Sequence, residues 1–175
     1  FLIEDYKNKV DLVKETVKEI SSLLPKEKQE ITIHEGNEEY LTLLTRIIKS
    51  MPRESVKYVL GTGGEKFMEY TMRPIWKKYH KTANAQGINI KMLSYESQRC
   101  SIKPDISNET IYDVRYLPDD IENPAGVHIY PAVNTILNII YSDAKTPVTA
   151  IKIKNKALTE GYLNLFNNLW KIAKK

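Results

Sequence analysis

The sequence predicts an α/β domain: a mixed β-sheet flanked by helices, with a heptad-patterned helix in front of it. Three observations predict it. Strand-like and helical runs alternate through the first half of the chain, the order that builds a parallel core. Four strand-like runs joined by turns follow, and these add antiparallel strands. The first 24 residues repeat apolar side chains at spacings of three and four.

That N-terminal repeat is Ile3, Tyr6, Val10, Val13, Val17, Ile20 and Leu24, about three heptads, with Lys, Asp and Glu filling most other positions. It reads as a coiled-coil dimerisation helix over residues 1–25, ended by Pro25. The competing reading is an amphipathic helix lying on its own domain. Residues 31–175 form the α/β domain.

Within the domain, Ile31–His34 reads as a strand. Asn37 is placed to cap a helix whose Tyr40, Leu41, Leu44, Ile47, Ile48 and Met51 share one face, and Pro52 stops it. Ser55–Leu60 is a second strand, followed by the turn Gly61–Gly64. A helical run with Phe67, Met68, Met72, Ile75, Trp76 and Tyr79 comes next. Pro74 is expected to break it in two, and Gly87 to end it. Ile88–Leu93 alternates as a third strand. Residues 94–110 read as loop, rich in Ser, Gln, Pro, Asp and Asn. Ile111–Leu117, Val127–Tyr130, Thr135–Tyr141 and Val148–Ile153 read as strands, and residues 156–173 as a final amphipathic helix.

Composition sets bounds. The 175 residues suit one domain plus an appended element. With 42% apolar and 27% charged residues, the chain falls among soluble globular proteins. A net charge of +4 is too mild to argue nucleic-acid binding on its own. Six lysines against Glu160 between Lys152 and Lys175 read first as helix-dipole complementation and solubility. The lone Cys100 excludes a disulfide framework and a cysteine-rich metal site, and fits a reducing, cytoplasmic setting. No run approaches the roughly 20 apolar residues of a membrane span. The chain opens with Phe1 inside a helical pattern, so it reads as a piece of a longer protein.

The stretch Val59–Phe67, VLGTGGEKF, poses the question of phosphate chemistry. A Walker loop needs Gly-Lys-Ser/Thr at its end, and here Lys66 is preceded by Glu65 and followed by Phe67. The dinucleotide pattern needs a third Gly where Lys66 stands. Neither motif is present. The glycines read as a tight turn, with their N–H groups the remaining candidate wall of a ligand site. The three histidines lie far apart and form no HExxH. His128 alternates with Val127 and Ile129 and reads as a surface or pocket-edge residue. Ligands bind at the carboxyl ends of parallel strands in open α/β sheets. The candidate ligand-binding set is therefore Glu35, Gly61, Thr62, Gly63, Gly64, Tyr95, Glu96 and His128, on one sheet edge. No catalytic constellation, metal site or cofactor is expected.

ITIHEGNEEYLTLLTRII, VLGTGG, QGINIKML, VRYLP, VHIY and the closing IKIKNKALTEGYLNLFNNLWKIAKK occur in an order that resembles the C-terminal effector domain of TrmB-like transcriptional regulators. The resemblance implies a phospholipase D-like fold. It implies a winged helix-turn-helix upstream and a dimerising linker matching the heptad helix. It implies a homodimer that meets DNA only through that upstream domain, with a sugar or phosphorylated metabolite as effector and no membrane. Phospholipase D enzymes use His-x-Lys pairs. Here Gly36, Thr82 and Tyr130 stand two residues after the three histidines, so the resemblance implies a non-catalytic sensor. A purely structural dimerisation domain of the same fold, without a ligand, is the alternative.

Overall fold

The computed structural model describes residues 14–15, 29–106, 111–119, 125–141, 143 and 145–175. The heptad seam Ile3, Tyr6, Val10, Val13, Val17, Ile20 and Leu24 lies outside the described residues.

Seven strands form a single sheet: β1 (Glu30–Glu35), β2 (Val56–Leu60), β3 (Asn89–Tyr95), β4 (Tyr112–Leu117), β5 (Ala125–Tyr130), β6 (Thr135–Ile140) and β7 (Thr149–Lys154). Their order across the sheet is β1-β7-β6-β5-β2-β3-β4. The strands β2, β3 and β4 are parallel, and every other pairing is antiparallel. The mixed sheet expected from the sequence is therefore present.

The place of β1 corrects the expected parallel core. It does not lie beside β2 but closes the far edge, antiparallel to β7. Strand-to-helix alternation fixes direction, not neighbours: β1 does run the same way as β2, with three antiparallel strands between them.

One face of the sheet is covered by α1 (Asn37–Ser50) and by a long helical segment. That segment runs as α2 (Gly64–Phe67), a π-helical turn (Met68–Met72) and α3 (Arg73–Gln86). Tyr40, Leu44 and Ile48 of α1 are fully buried there, each contributing roughly 1.5–3 kcal/mol through apolar area removed from water. Pro74 does not separate two helices. It sits in the first turn of α3, where its missing N–H costs nothing, and the π turn before it absorbs the change of pitch. Gly87 ends α3 in the left-handed region at φ 68°, as expected.

The other face is covered by α5 (Lys156–Ile172), whose Phe166 is fully buried against Leu60, Ile129 and Ile136. Asn155 caps this helix, accepting the Leu158 N–H at 2.8 Å. At α1 the expected cap, Asn37, is the first helical residue instead. Its side chain donates to the Tyr70 carbonyl at 2.7 Å and ties α1 to the π turn.

Residues 94–110 are not all loop. A 3₁₀ turn (Glu96–Gln98) leads into α4 (Arg99–Ile106), and Ile102 is buried beneath it. The polar composition hid a helix anchored, among its described side chains, by Ile102.

Candidate functional site

A cavity opens between the parallel strands and the segment from Phe67 to Tyr79. It offers about 40 Å³ to the centres of water-sized molecules. Its floor is Lys57 and Val59 of β2, Ile90 and Met92 of β3, and His128 of β5. Its roof is Phe67, Met68, Met72, Trp76 and Tyr79, and Ile102 and Tyr112 close one side. The two methionines of the roof both come from the π turn, a geometry that often marks functional positions.

Polar groups in this apolar space are few, and Lys57 is the most unusual. It is only 3% exposed. Its Nζ donates to the Tyr79 hydroxyl at 2.9 Å and stands 5.0 and 5.5 Å from the ring centres of Tyr79 and Tyr130. Among the described residues no carboxylate pairs with it. Burial pushes its pKa down to about 7. Two aromatic faces and one phenol oxygen contact the amine, and they do not offset the cost of burying its charge.

His128 is buried as well, with Nδ1 3.5 Å from the Tyr130 hydroxyl. Burial, and then the nearby Lys57 charge, hold its pKa well below the usual value, so it is a neutral imidazole near pH 7. Tyr79 and Tyr130 have phenols raised by burial and stay protonated. The cavity thus combines one titrating amine, one neutral imidazole and phenol hydroxyls with a thioether-rich wall.

The eight residues singled out in the sequence separate into groups. Gly61, Thr62 and His128 line the cavity. Thr62 is buried and hydrogen-bonds Ser94 Oγ at 2.8 Å. Gly63 and Gly64 adopt the left-handed region beside it at φ 76° and 68°, outside the lining. Gly61, Gly63 and Gly126 together seat the Tyr141 ring: a Cβ on Gly63 would lie 2.6 Å from Tyr141 Cδ1. Tyr95 is buried in the opposite core, packed with the α5 side of the sheet. Glu96 is exposed and pairs with Arg99 at 2.8 Å, a hydrogen bond that lowers its pKa. Glu35 ends β1 on the same sheet edge, but four strands from β2, roughly 19 Å at the usual strand spacing.

The sequence reading did not single out Lys57. The signal was available: Val56, Tyr58 and Leu60 are apolar on one face of β2, Val59 on the other. A strand apolar on both faces is central, and a lysine in it is buried.

Among the described residues no three His, Cys, Asp or Glu side chains cluster as metal ligands. Among them, too, no helix is long and apolar enough to cross a membrane.

No protein-family model matches the sequence, and no curated protein matches it closely. Solved structures match it by fold. NucT from Helicobacter pylori superposes with a TM-score of 0.62 at 10% identity, over 84% of this chain and 99% of that one. The phospholipase D family member Nuc from Salmonella typhimurium gives 0.60 at 18% identity, over 84% and 97%. TrmBL2, an archaeal chromatin protein whose structure shows a mode of DNA binding, gives 0.54 at 14% identity over 99% of this chain. The chain spans 65% of the length of that protein. The fold is therefore phospholipase D-like.

Proposed function

We propose that this chain is the effector-sensing and dimerisation part of a TrmB-like, DNA-binding transcriptional regulator, cytoplasmic and non-catalytic. The observation that carries the reading is the cavity around Lys57 and His128. It is small, mostly apolar and roofed by helix, with a few convergent polar groups, which is the composition of a small-molecule site. The two residues that follow His128 are Ile129 and Tyr130, so the His-x-Lys pair is absent there. The match to TrmBL2 along almost the whole chain supports the same class. In this reading residues 1–25 dimerise, an upstream winged helix contacts DNA, and effector binding shifts the packing between sensor and linker.

The decisive experiment measures operator binding by the complete regulator while small metabolites are screened for a change in its affinity. A ligand that binds the cavity and changes DNA affinity supports the reading. Ligand binding with unchanged DNA affinity and unchanged assembly overturns it.

A second reading, a structural interaction module, is favoured by one surface. The cross-strand rows on the α5 side are Ile31–Ile153–Ile136 and Ile33–Ile151–Asn138. The helix covers Ile136 but leaves Ile31 63% and Ile33 64% exposed, with Ile140 nearby at 52%. A contiguous aliphatic face of this kind normally has a partner. The partner this reading assigns is the heptad seam of residues 1–24, which precedes β1 in the sequence. Ile31→Lys with Ile33→Lys is then expected to cost the full chain about 2 kcal/mol in urea unfolding. A change within about 0.5 kcal/mol would mean that no part of the chain covers this face.

A further inference from the structure

The cavity around Lys57 has a chemistry more specific than a generic small-molecule site. Its one cation lies at the bottom of an apolar pocket, 2.9 Å from a phenol oxygen and without a carboxylate partner among the described residues. When Lys57 donates to the Tyr79 oxygen, the phenol proton of Tyr79 remains available to a second acceptor. A ligand oxygen placed there would receive one hydrogen bond from the ammonium and one from the phenol. Most of the remaining surface is apolar, with Met68, Met72, Met92 and Trp76 prominent in it, which suits a short hydrocarbon and adapts to its shape. The volume sets the length: about 40 Å³ for water-sized centres admits only a few heavy atoms beyond the head group.

We propose that this cavity binds a small monocarboxylate of about two to four carbons, its carboxylate held by Lys57 and Tyr79 and its alkyl chain laid against the methionines of the π turn. The assignment rests on the sensor reading and names the ligand class for that site. The anion supplies the counter-ion absent around Lys57 among the described residues, and a charge-assisted hydrogen bond forms where the buried ammonium otherwise has one neutral phenol oxygen and ring faces. Sugars and phosphate esters need more polar partners than this mostly apolar lining offers.

Binding requires Lys57 protonated. The groups that face it are Tyr79 from α3 and His128 and Tyr130 from β5, with Tyr112 of β4 on the cavity wall. Tyr79 and Tyr130 stay neutral to high pH and His128 is neutral near pH 7, so Lys57 alone sets the dependence there. With its pKa at about 7 in the free protein, affinity falls as pH rises past that value.

The test is calorimetric titration of the 175-residue chain with acetate, propionate, butyrate and hexanoate, each beside the alcohol of the same length. Propionate or butyrate is expected to bind at least about 10-fold more tightly than its alcohol, with hexanoate weaker. The preference is expected to shrink between pH 6.5 and pH 9 and to vanish in Lys57→Met. The conservative Lys57→Arg variant, larger but still cationic, is expected to keep part of it. Equal affinity for acid and alcohol, no binding by any acid, or a preference that survives Lys57→Met overturns the proposal. The two levels of inference fail separately. Binding of a neutral metabolite with no carboxylate preference sinks the ligand class and spares the sensor. Carboxylate binding that leaves DNA affinity and assembly of the complete regulator unchanged sinks the sensor and spares the site.

Discussion

Replacing Lys57 with methionine is expected to stabilise the domain by about 3 kcal/mol near pH 6 and to change it little near pH 10. The sign follows from linkage. Burial lowers the Lys57 pKa from 10.5 in a free lysine to about 7 in the fold. Below about 7 the amine is charged in both states, and the native state carries the full cost of desolvating it. Between about 7 and 10.5 the unfolded chain keeps the proton while the native state releases it. Native stability therefore rises with pH through that window, by up to about 1.4 kcal/mol per pH unit from this group. Methionine fills nearly the same volume without a charge, so the variant loses the slope. Two other sets of groups bound the profile. His128 has a lowered pKa, so the unfolded chain takes up a proton the fold refuses, and stability falls as pH drops below the ordinary histidine value. Tyr40, Tyr79, Tyr130 and Tyr141 have raised pKa values, so stability is lost again above the ordinary tyrosine value. The wild-type optimum is thus expected between about pH 9 and 10. Urea unfolding followed by tryptophan fluorescence from pH 5.5 to 10.5 checks all of this. A Lys57→Met curve running parallel to the wild type would show that Lys57 is not the source of the slope.

In the proposed reading Lys57 marks the site. It is a buried lysine in a cavity, between two aromatic rings, and its burial is expected to cost the fold stability near neutral pH. Buried polar groups that cost stability are the pattern of a site.

Local pattern made most of the elements legible and left their neighbours obscure. The alternation of Ile88, Ile90 and Met92 with Asn89 and Lys91 located β3, although its end is buried on both faces, and the 3.6-residue period of residues 156–173 located α5, which buries one stripe. The β1 pairing with β7 was not legible. Ile31–His34 carries the same alternation whether it sits beside β2 or at the far edge, and only the packing of the whole sheet decides. The exposure of Ile31 and Ile33 is the mark of that edge position. α4 is not legible because its short, polar, Pro-containing sequence Arg99–Ile106 carries too few apolar residues to generate a period. In the candidate set, Gly61, Thr62 and His128 came together because the carboxyl end of β2 and the cross-strand partner of Val59 meet at one place. Tyr95 went to the opposite core because the last residue of a strand can point to either face, and a count from the strand end does not fix which.

Adding a single methyl group at Gly126 is expected to cost about 3 kcal/mol, the upper range for overpacking a buried site. A Cβ there would overlap the Tyr141 hydroxyl and lie 2.6 Å from Cζ. At Gly63 a Cβ would meet Tyr141 Cδ1 at 2.6 Å, and the backbone also stands at φ 76°, which adds roughly 1 kcal/mol for any residue with a side chain. The two costs differ in kind, and Tyr141→Ala separates them. Removing the ring costs about 3–4 kcal/mol by itself. Combined with Gly126→Ala, it should cost little more, a coupling of about 2 kcal/mol or greater, since the clash and the ring vanish together. Combined with Gly63→Ala, it should recover the steric part and leave the backbone part. Full recovery at both positions would mean the turn carries no strain. Additive losses at both would mean Tyr141 is not what the glycines serve. The ring matters to the cavity because its other neighbour is Phe67, 4.7 Å away between centres, and Phe67 is part of the roof. In the proposed reading the glycine turn would therefore act on the cavity through a seat for an aromatic ring. A phosphate loop would instead lose anion affinity in Gly63→Ala while Tyr141→Ala left that affinity intact, and equilibrium binding of inorganic phosphate to these same variants distinguishes the two.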